Sequence, residues 1–444
     1  VISHLASLST GNFPVFFYFK NEQNSFKICQ LVTIIFTIMT KQYTKNVEVY
    51  LDYATIPTLN YFYHFTENKD DIETIRLFGL GRFNISKSII ESYPEGIIRY
   101  CPIISEDQRA FQQLFITLLT EDSFFQYRFN FHINLFHSWK MLIPLLHIIG
   151  QFKNKVLDIK LNFYDDGSEG LVMLSKIEQN YSTESLQKII DIDSQSFYAE
   201  KLSFLDADIA RYLWNSLFES HYYLLNDFLL KNEKLSLLKN SIKYCHIMEL
   251  ERYLQFTQEE KDFFNELLGI SIQSLEDKIK IFQQEKTFIF TGTTIFDLPK
   301  KEEEALYHLH LNAILNYIHP NGKYFIGDGF TLIIKGHPHQ KEMNLRLEKS
   351  FEKAVMLPDN IPFEILYLIG CKPDKIGGFV STSYFSCDKK NIADLLFISA
   401  KQEEVRKNDY LFNIQYQLRD VMIKTGFIQE EKTHFYSDIP IFIS

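Results

Sequence analysis

Short apolar runs in this chain end repeatedly in polar or glycine-bearing turns, with longer helical patterns between them. Val47–Leu51, Ile75–Phe78, Gly96–Tyr100, Phe129–Leu135 and Val156–Tyr164 read as strands, and Tyr53–Phe65, Glu106–Leu119 and Trp139–Phe152 carry apolar residues at helical spacing. Parallel strands need a crossover connection, so this alternation builds βαβ units around a parallel sheet. Residues 181–285 change character: Leu186–Ile190, Ala207–Leu230, Leu237–Tyr253 and Gln258–Phe282 read as helix. A second strand series follows at Lys286–Phe290, Phe330–Lys335, Ala354–Leu357, Ile376–Val380 and Leu395–Ser399, before a helical Asp409–Thr425. Two α/β halves on either side of a helical connector imply a cleft. In open parallel sheets ligands bind at the carboxyl ends of strands.

Composition narrows the partners. The 444 residues carry 46 basic and 56 acidic side chains, a net charge of −10, and the pI is about 5.8. Nucleic acid and anionic membrane both attract basic surface, so neither is an expected general partner. No apolar run reaches the roughly 18–20 residues of a spanning helix. The apolar run Ile28–Met39 has the length of a signal-sequence core or a buried helix. Residues 1–44 read as an N-terminal extension or targeting segment, with Met39 as an alternative start. Five cysteines at wide spacing, without a CxxC, argue against a disulfide framework or a zinc site.

The chemistry gathers at strand ends. After Val156–Tyr164 stand Asp165 and Asp166 in the sequence DDGS. Two adjacent carboxylates at a strand end point in different directions, so one can face a cleft as a general base; the same four residues also make an ordinary turn. After Phe330–Lys335 come Gly336, His337, Pro338 and His339. Lysine and histidine at a strand mouth can hold an anion, and Gly336 allows close backbone approach. Ser381, Thr382 and Ser383 follow Ile376–Val380, and Gly292, Thr293 and Thr294 follow Lys286–Phe290. Hydroxyls and backbone N–H groups at such turns bind phosphate, and serine or threonine there also caps helices. The pairs Asp191/Asp193 and Asp206/Asp208 fall in the helical connector, where capping explains them. His308 and His310 fall on different faces of one helix, a poor geometry for a shared metal.

Taken in order, these motifs resemble the bacterial sialyltransferases of glycosyltransferase family 80, the Pasteurella and Photobacterium type. The matching segments are YLDYATIPTLN (Tyr50–Asn60), RLFGLGRF (Arg76–Phe83), NFHINLFHS (Asn130–Ser138) and LNFYDDGS (Leu161–Ser168). They continue through IARYLW (Ile209–Trp214), FIFTGTT (Phe288–Thr294), IIKGHP (Ile333–Pro338), PFEIL (Pro362–Leu366) and DKIGGFVSTSYFS (Asp374–Ser386).

The resemblance implies a GT-B fold, with two Rossmann-like domains facing a central cleft and a C-terminal helix returning to the first domain. It divides the chain into a first, acceptor domain at 45–205 with 406–444 packing back, and a CMP-donor domain at 206–405. It also implies an inverting transfer of sialic acid from CMP-sialic acid to a galactose-terminated glycan, such as a lipooligosaccharide, without a cofactor or metal. The implied general base is Asp166, and His337 is the acid at the CMP phosphate. Gly292, Lys335, Pro338, Phe363, Glu364, Ser381 and Thr382 are implied to bind the donor, with Glu364 on the ribose; His137, Asp166 and Phe296 are implied to meet the acceptor. The expected setting is cytoplasmic, with scope for peripheral association with the inner membrane. Two positions depart from the family pattern: Thr382 replaces a serine of the phosphate pair, and Phe296 replaces a tryptophan. Hydrolysis of the same donor, or of sialosides, is the alternative activity for such a site.

Overall fold

The computed structural model describes residues 6–10, 13–17, 43–104, 107–122, 124–190, 212, 214–249, 251–294, 300–398 and 410–442. An antiparallel hairpin, β1 (Ala6–Thr10) with β2 (Phe13–Phe17), precedes the main body. The first sheet contains β3 (Tyr43–Asp52), β4 (Ile75–Leu80), β5 (Ile98–Pro102), β6 (Phe125–Asn134), β7 (Val156–Tyr164), β8 (Glu219–Leu224) and β9 (Tyr244–Ile247). Every pairing in it is parallel, in the order β5-β4-β3-β6-β7-β8-β9. The second sheet contains β10 (Thr287–Thr291), β11 (Thr331–Lys335), β12 (Val355–Met356), β13 (Lys375–Phe379), β14 (Ile392–Phe397) and β15 (Thr433–Phe435). It too is parallel, in the order β12-β11-β10-β13-β14-β15.

Numbered within each sheet, both orders begin 3-2-1-4-5-6, the Rossmann arrangement. Strands β4 and β10 are buried along their whole length, which explains their near-continuous apolar runs. The order reverses between β3 and β6 in one half and between β10 and β13 in the other, and crevices open at these points.

The first sheet takes in more of the chain than expected. The boundary read at residue 205 falls before β8 and β9, which pair within the first sheet. Ala207–Leu230 and Leu237–Tyr253 are therefore not continuous helices. In Glu219–Leu224 (ESHYYL) alternate residues are buried, a period-2 strand pattern that spacing by three and four disguises. The helix read over Gln258–Phe282 is two: Gln258–Leu268, opened by a Thr257–Glu260 capping box and closed by Gly269 in the left-handed region, and Glu276–Gln284.

Helix Gln258–Leu268 packs on Thr55–Glu67 of the first half, with Tyr63 stacked on Phe264 at 4.7 Å. One apolar cluster runs through this contact and includes Tyr50 and Leu59 from one half and Ile289 and Ile333 from the other. The C-terminal segment divides between the halves. Helix Tyr410–Lys424 packs on Ser168–Asn180 of the first, while β15 extends the second sheet. Cys101, Cys245, Cys371 and Cys387 are free thiols. Among the described residues no helix is long and apolar enough to cross a membrane. Ile28–Met39, Asp191/Asp193 and Asp206/Asp208 lie outside the described residues.

Candidate active site

The carboxyl ends of β3, β6 and β7 lie side by side, since Leu51 pairs with Ile133 and Asn134 with Tyr164. Asp52, Asn134 and the Asp165-Asp166 turn are thereby set in a row. Asn134 Oδ1 accepts the N–H groups of Phe136 (2.8 Å) and His137 (3.4 Å). With its oxygen held, the amide turns Nδ2 outward, and Nδ2 donates to Asp166 Oδ2 at 3.0 Å. His137 Nδ1 lies 2.9 Å from Asp52 Oδ1 and 3.0 Å from Asn134 Nδ2. The Tyr53 ring stacks on this imidazole at 4.2 Å. Asp52 is fully buried and Asp166 is half-buried, so the polar chain Asp52–His137–Asn134–Asp166 runs from the interior to the cleft.

The two acids of the DDGS turn have separated. Asp165 is buried, accepts the Leu225 N–H at 3.2 Å, and is pushed up to about 7 by burial. Its carboxylate occupies the space where a side chain on residue 170 would stand, so Gly170 is required. Asp165 is a structural acid. Asp166 is close enough to Arg82 to support that residue's positive charge.

The second half contributes a cleft at the ends of β10, β11 and β13. Gly292, Lys335, His337, Pro338, Phe363, Glu364, Ser381 and Thr382 all line it, and Thr55, Ile56 and Arg82 reach it from the first half. Lys335 Nζ donates to the carbonyls of Pro358 (2.8 Å) and Asp359 (3.2 Å). Burial brings its pKa down to about 8, so it is charged at neutral pH. His337 is brought down to about 4, first by burial and then by the cations and imidazoles around it. Its Nδ1 accepts the His339 N–H at 3.3 Å, which places the ring proton on Nε2. The neutral ring therefore already offers an N–H.

Glu364 is buried in the first turn of Phe363–Leu368, and burial raises its pKa. Ser381 caps the short helix Thr382–Ser386 by accepting the Ser383 N–H. Gly336 packs on Asn344, whose side-chain atoms fill the position of any Cβ there. This keeps the Lys335–His337 turn tight.

The halves of the site meet at Gly167. It has a φ of 76°, and a Cβ on it would stand 2.5 Å from Thr382 Cγ2. The turn that carries Asp166 thus abuts the turn expected to hold a phosphate. The structure brings the predicted donor residues into one cleft and joins Asp166 to His137 through Asn134. Phe296 lies outside the described residues. His308 is partly exposed and His310 buried, with His310 Nε2 accepting the Thr293 N–H at 3.0 Å. Arg82, Asn134, Asp52 and Thr55 went unassigned in the sequence, although all four lie in or beside segments matching the family.

Two Rossmann sheets whose carboxyl ends meet across one cleft make a GT-B fold. The chain belongs to the family described as Sialyltransferase PMO188, whose model matches residues 47–429. A search of the curated proteins gives no match. Among solved structures, the Photobacterium sp. JT-ISH-224 2,6-sialyltransferase, in complex with CMP and lactose, superposes with a TM-score of 0.76 at 23% identity, covering 89% of this chain and 79% of that one. The GT-B domain of the Photobacterium damselae sialyltransferase gives a TM-score of 0.76 at 22% identity, covering 88% and 99%. The Photobacterium phosphoreum α/β-galactoside α-2,3-sialyltransferase gives 0.71 at 22% identity, covering 89% and 100%.

Proposed function

We propose that this chain transfers sialic acid from CMP-sialic acid to a terminal galactose with inversion, using Asp166 as the base and the Lys335–His337 turn as the phosphate cradle. One observation carries the reading: Gly167, next to Asp166, touches Thr382 at the cleft that holds Lys335 and His337. A base on one side of the sugar carbon and an anion site on the other is the arrangement that single displacement needs.

Asp166 takes the proton of the acceptor hydroxyl, and that oxygen attacks the anomeric carbon. The bond from that carbon to the phosphate oxygen breaks, and the departing CMP keeps the electron pair. The donor has one phosphate, so a charged lysine, the His337 Nε2–H and the turn at Ser381-Thr382 can stabilise the leaving charge without a divalent ion. His337, neutral in the empty cleft, points its Nε2–H at the departing phosphate oxygen, the acid position that the resemblance implied. Glu364 accepts from the ribose hydroxyls, and Gly292 and Phe363 line the cytidine. His137 and Asn134 hold Asp166 toward the acceptor. Arg82 balances the carboxylates Asp166 and Glu364.

The test is incubation with CMP-N-acetylneuraminic acid and EDTA, with and without lactose, following CMP release and sialyl-lactose. Sialyl-lactose formed in EDTA supports the proposal, and its NMR spectrum gives the linkage. CMP release that lactose neither accelerates nor converts to sialyl-lactose would refute galactoside transfer in favour of hydrolysis.

A further inference from the structure

A second cluster of chemistry-bearing side chains lies within the first half. Glu48 on β3 pairs in register with Asn130 on β6, and Tyr50 with His132; His64 comes down from helix Thr55–Glu67. One ring nitrogen of each histidine and one carboxylate oxygen of Glu48 all lie within 4.8 Å of one another. We infer that Glu48, His64 and His132 form a site for a divalent ion of the zinc class, tying β3, β6 and helix Thr55–Glu67 together. Two imidazoles and a carboxylate are a donor set that zinc accepts, with water completing a tetrahedron.

The surroundings favour this. Tyr50 OH lies 2.9 Å from His64 Nδ1, and Tyr164 OH lies 2.9 Å from His132 Nδ1. With both Nδ1 atoms engaged by phenols, Nε2 is left in each ring as the ligand. Metal-bound histidines are commonly fixed in this way through their other nitrogen. His132 Nε2 already sits 2.7 Å from Glu48 Oε2. Asn130 Nδ2 donates to the same oxygen at 2.7 Å, and Asn162 Nδ2 donates to Asn130 Oδ1 at 2.5 Å.

Burial holds both histidines neutral, each near 3, and raises the Glu48 pKa. An ion would supply positive charge to a largely enclosed carboxylate. Arg76 on the adjacent β4 and Lys160 on β7, one strand further off, already act on Glu48 and oppose a cation there. Arg76 is, however, engaged by the carbonyls of Asn68, Asp71 and Thr74. The Glu48 side chain retains 17% exposure, which gives an ion a way in. An ion that binds the folded chain and not the unfolded one stabilises the fold, so binding should raise the melting temperature.

Glu48 lies four residues before Asp52, at the cleft end of the same strand, so the ion would be structural and would take no part in transfer. The test uses the full chain stripped with a chelator. Zinc is titrated by calorimetry and cobalt by visible absorption, for the wild type and for Glu48→Gln and His64→Gln. The expected result is one zinc per chain, tetrahedral cobalt bands, a melting temperature raised by a few degrees, and at least 100-fold weaker zinc binding in both variants. A wild type that binds no zinc overturns the inference, whether or not the variants fold. So does zinc binding that both variants retain at wild-type strength, since surface histidines would then be responsible. In either case the cluster is a buried hydrogen-bond network only.

Discussion

Gly167→Ala probes the contact that joins the two halves of the site. The backbone there has a φ of 76° and a ψ of −123°, a region sparsely populated by L-residues, at a cost of about 1–3 kcal/mol. The new methyl would also stand 2.5 Å from Thr382 Cγ2, where ordinary contact begins near 3.4 Å. Relieving that overlap moves the turns apart by about 0.9 Å. Displacing a catalytic group by about 1 Å costs on the order of 100-fold in rate. We therefore expect kcat for sialyl-lactose formation to fall about 100-fold. CMP affinity, measured by calorimetry, should change less than threefold, because its proposed contacts lie in the second half. Gly167→Ala combined with Thr382→Ser removes the clashing methyl and leaves Cβ at 3.1 Å as the nearest atom. About tenfold of the rate should return, with the backbone penalty remaining. Wild-type kcat in Gly167→Ala, or a double variant no faster than the single one, would refute the idea that this contact sets the position of Asp166.

Asp166→Asn should lower transfer by about 10²–10⁴-fold with CMP affinity unchanged, and an active variant would move the base elsewhere. Lys335 loses its charge as pH rises through about 8 in the empty cleft, whereas a bound phosphate favours its protonated form. CMP affinity measured against pH should accordingly be flat below about 7.5 and weaken from 8 toward 10, and Lys335→Met should abolish that dependence. Because His337 is neutral above about 4, kcat/KM should show no alkaline fall centred near 6.5; such a fall, absent in His337→Ala, would restore the protonated acid. Gly336→Ala forces a methyl into the Asn344 side chain, so it should cost about 1–3 kcal/mol of stability in denaturant unfolding and weaken CMP binding.

The cleft at the ends of β10, β11 and β13 was legible because its residues follow strands directly. Lys335, His337, Ser381 and Gly292 each stand where an apolar run stops, and a parallel sheet brings such positions together. Asp52 and Asn134 were harder to see, because they are the last residues of apolar strands and look like ordinary strand ends until the register aligns them. Arg82 carries no spacing signal; its importance comes from the crossing of one half over the other. Strands β8 and β9 were missed for a different reason. Phe218, Tyr222 and Leu225 satisfy a helical spacing while Tyr222 and Leu224 satisfy an alternating one, and only pairing with β7 decides between them. The separation of Asp165 from Asp166 depends on the Leu225 amide at the end of β8, which adjacency in the sequence does not reveal.

The division of the C-terminal segment between both halves bears on how the chain is made. During synthesis, β3 to β14 can emerge and collapse while the second sheet still lacks its edge strand and Ser168–Asn180 lacks its covering helix. Neither half is complete until residues 410–435 have left the ribosome, and the shared apolar cluster around Tyr50 and Ile289 then closes over both at once. Such a chain should reach its native state in one late, cooperative step, with little opportunity for either half to mature alone.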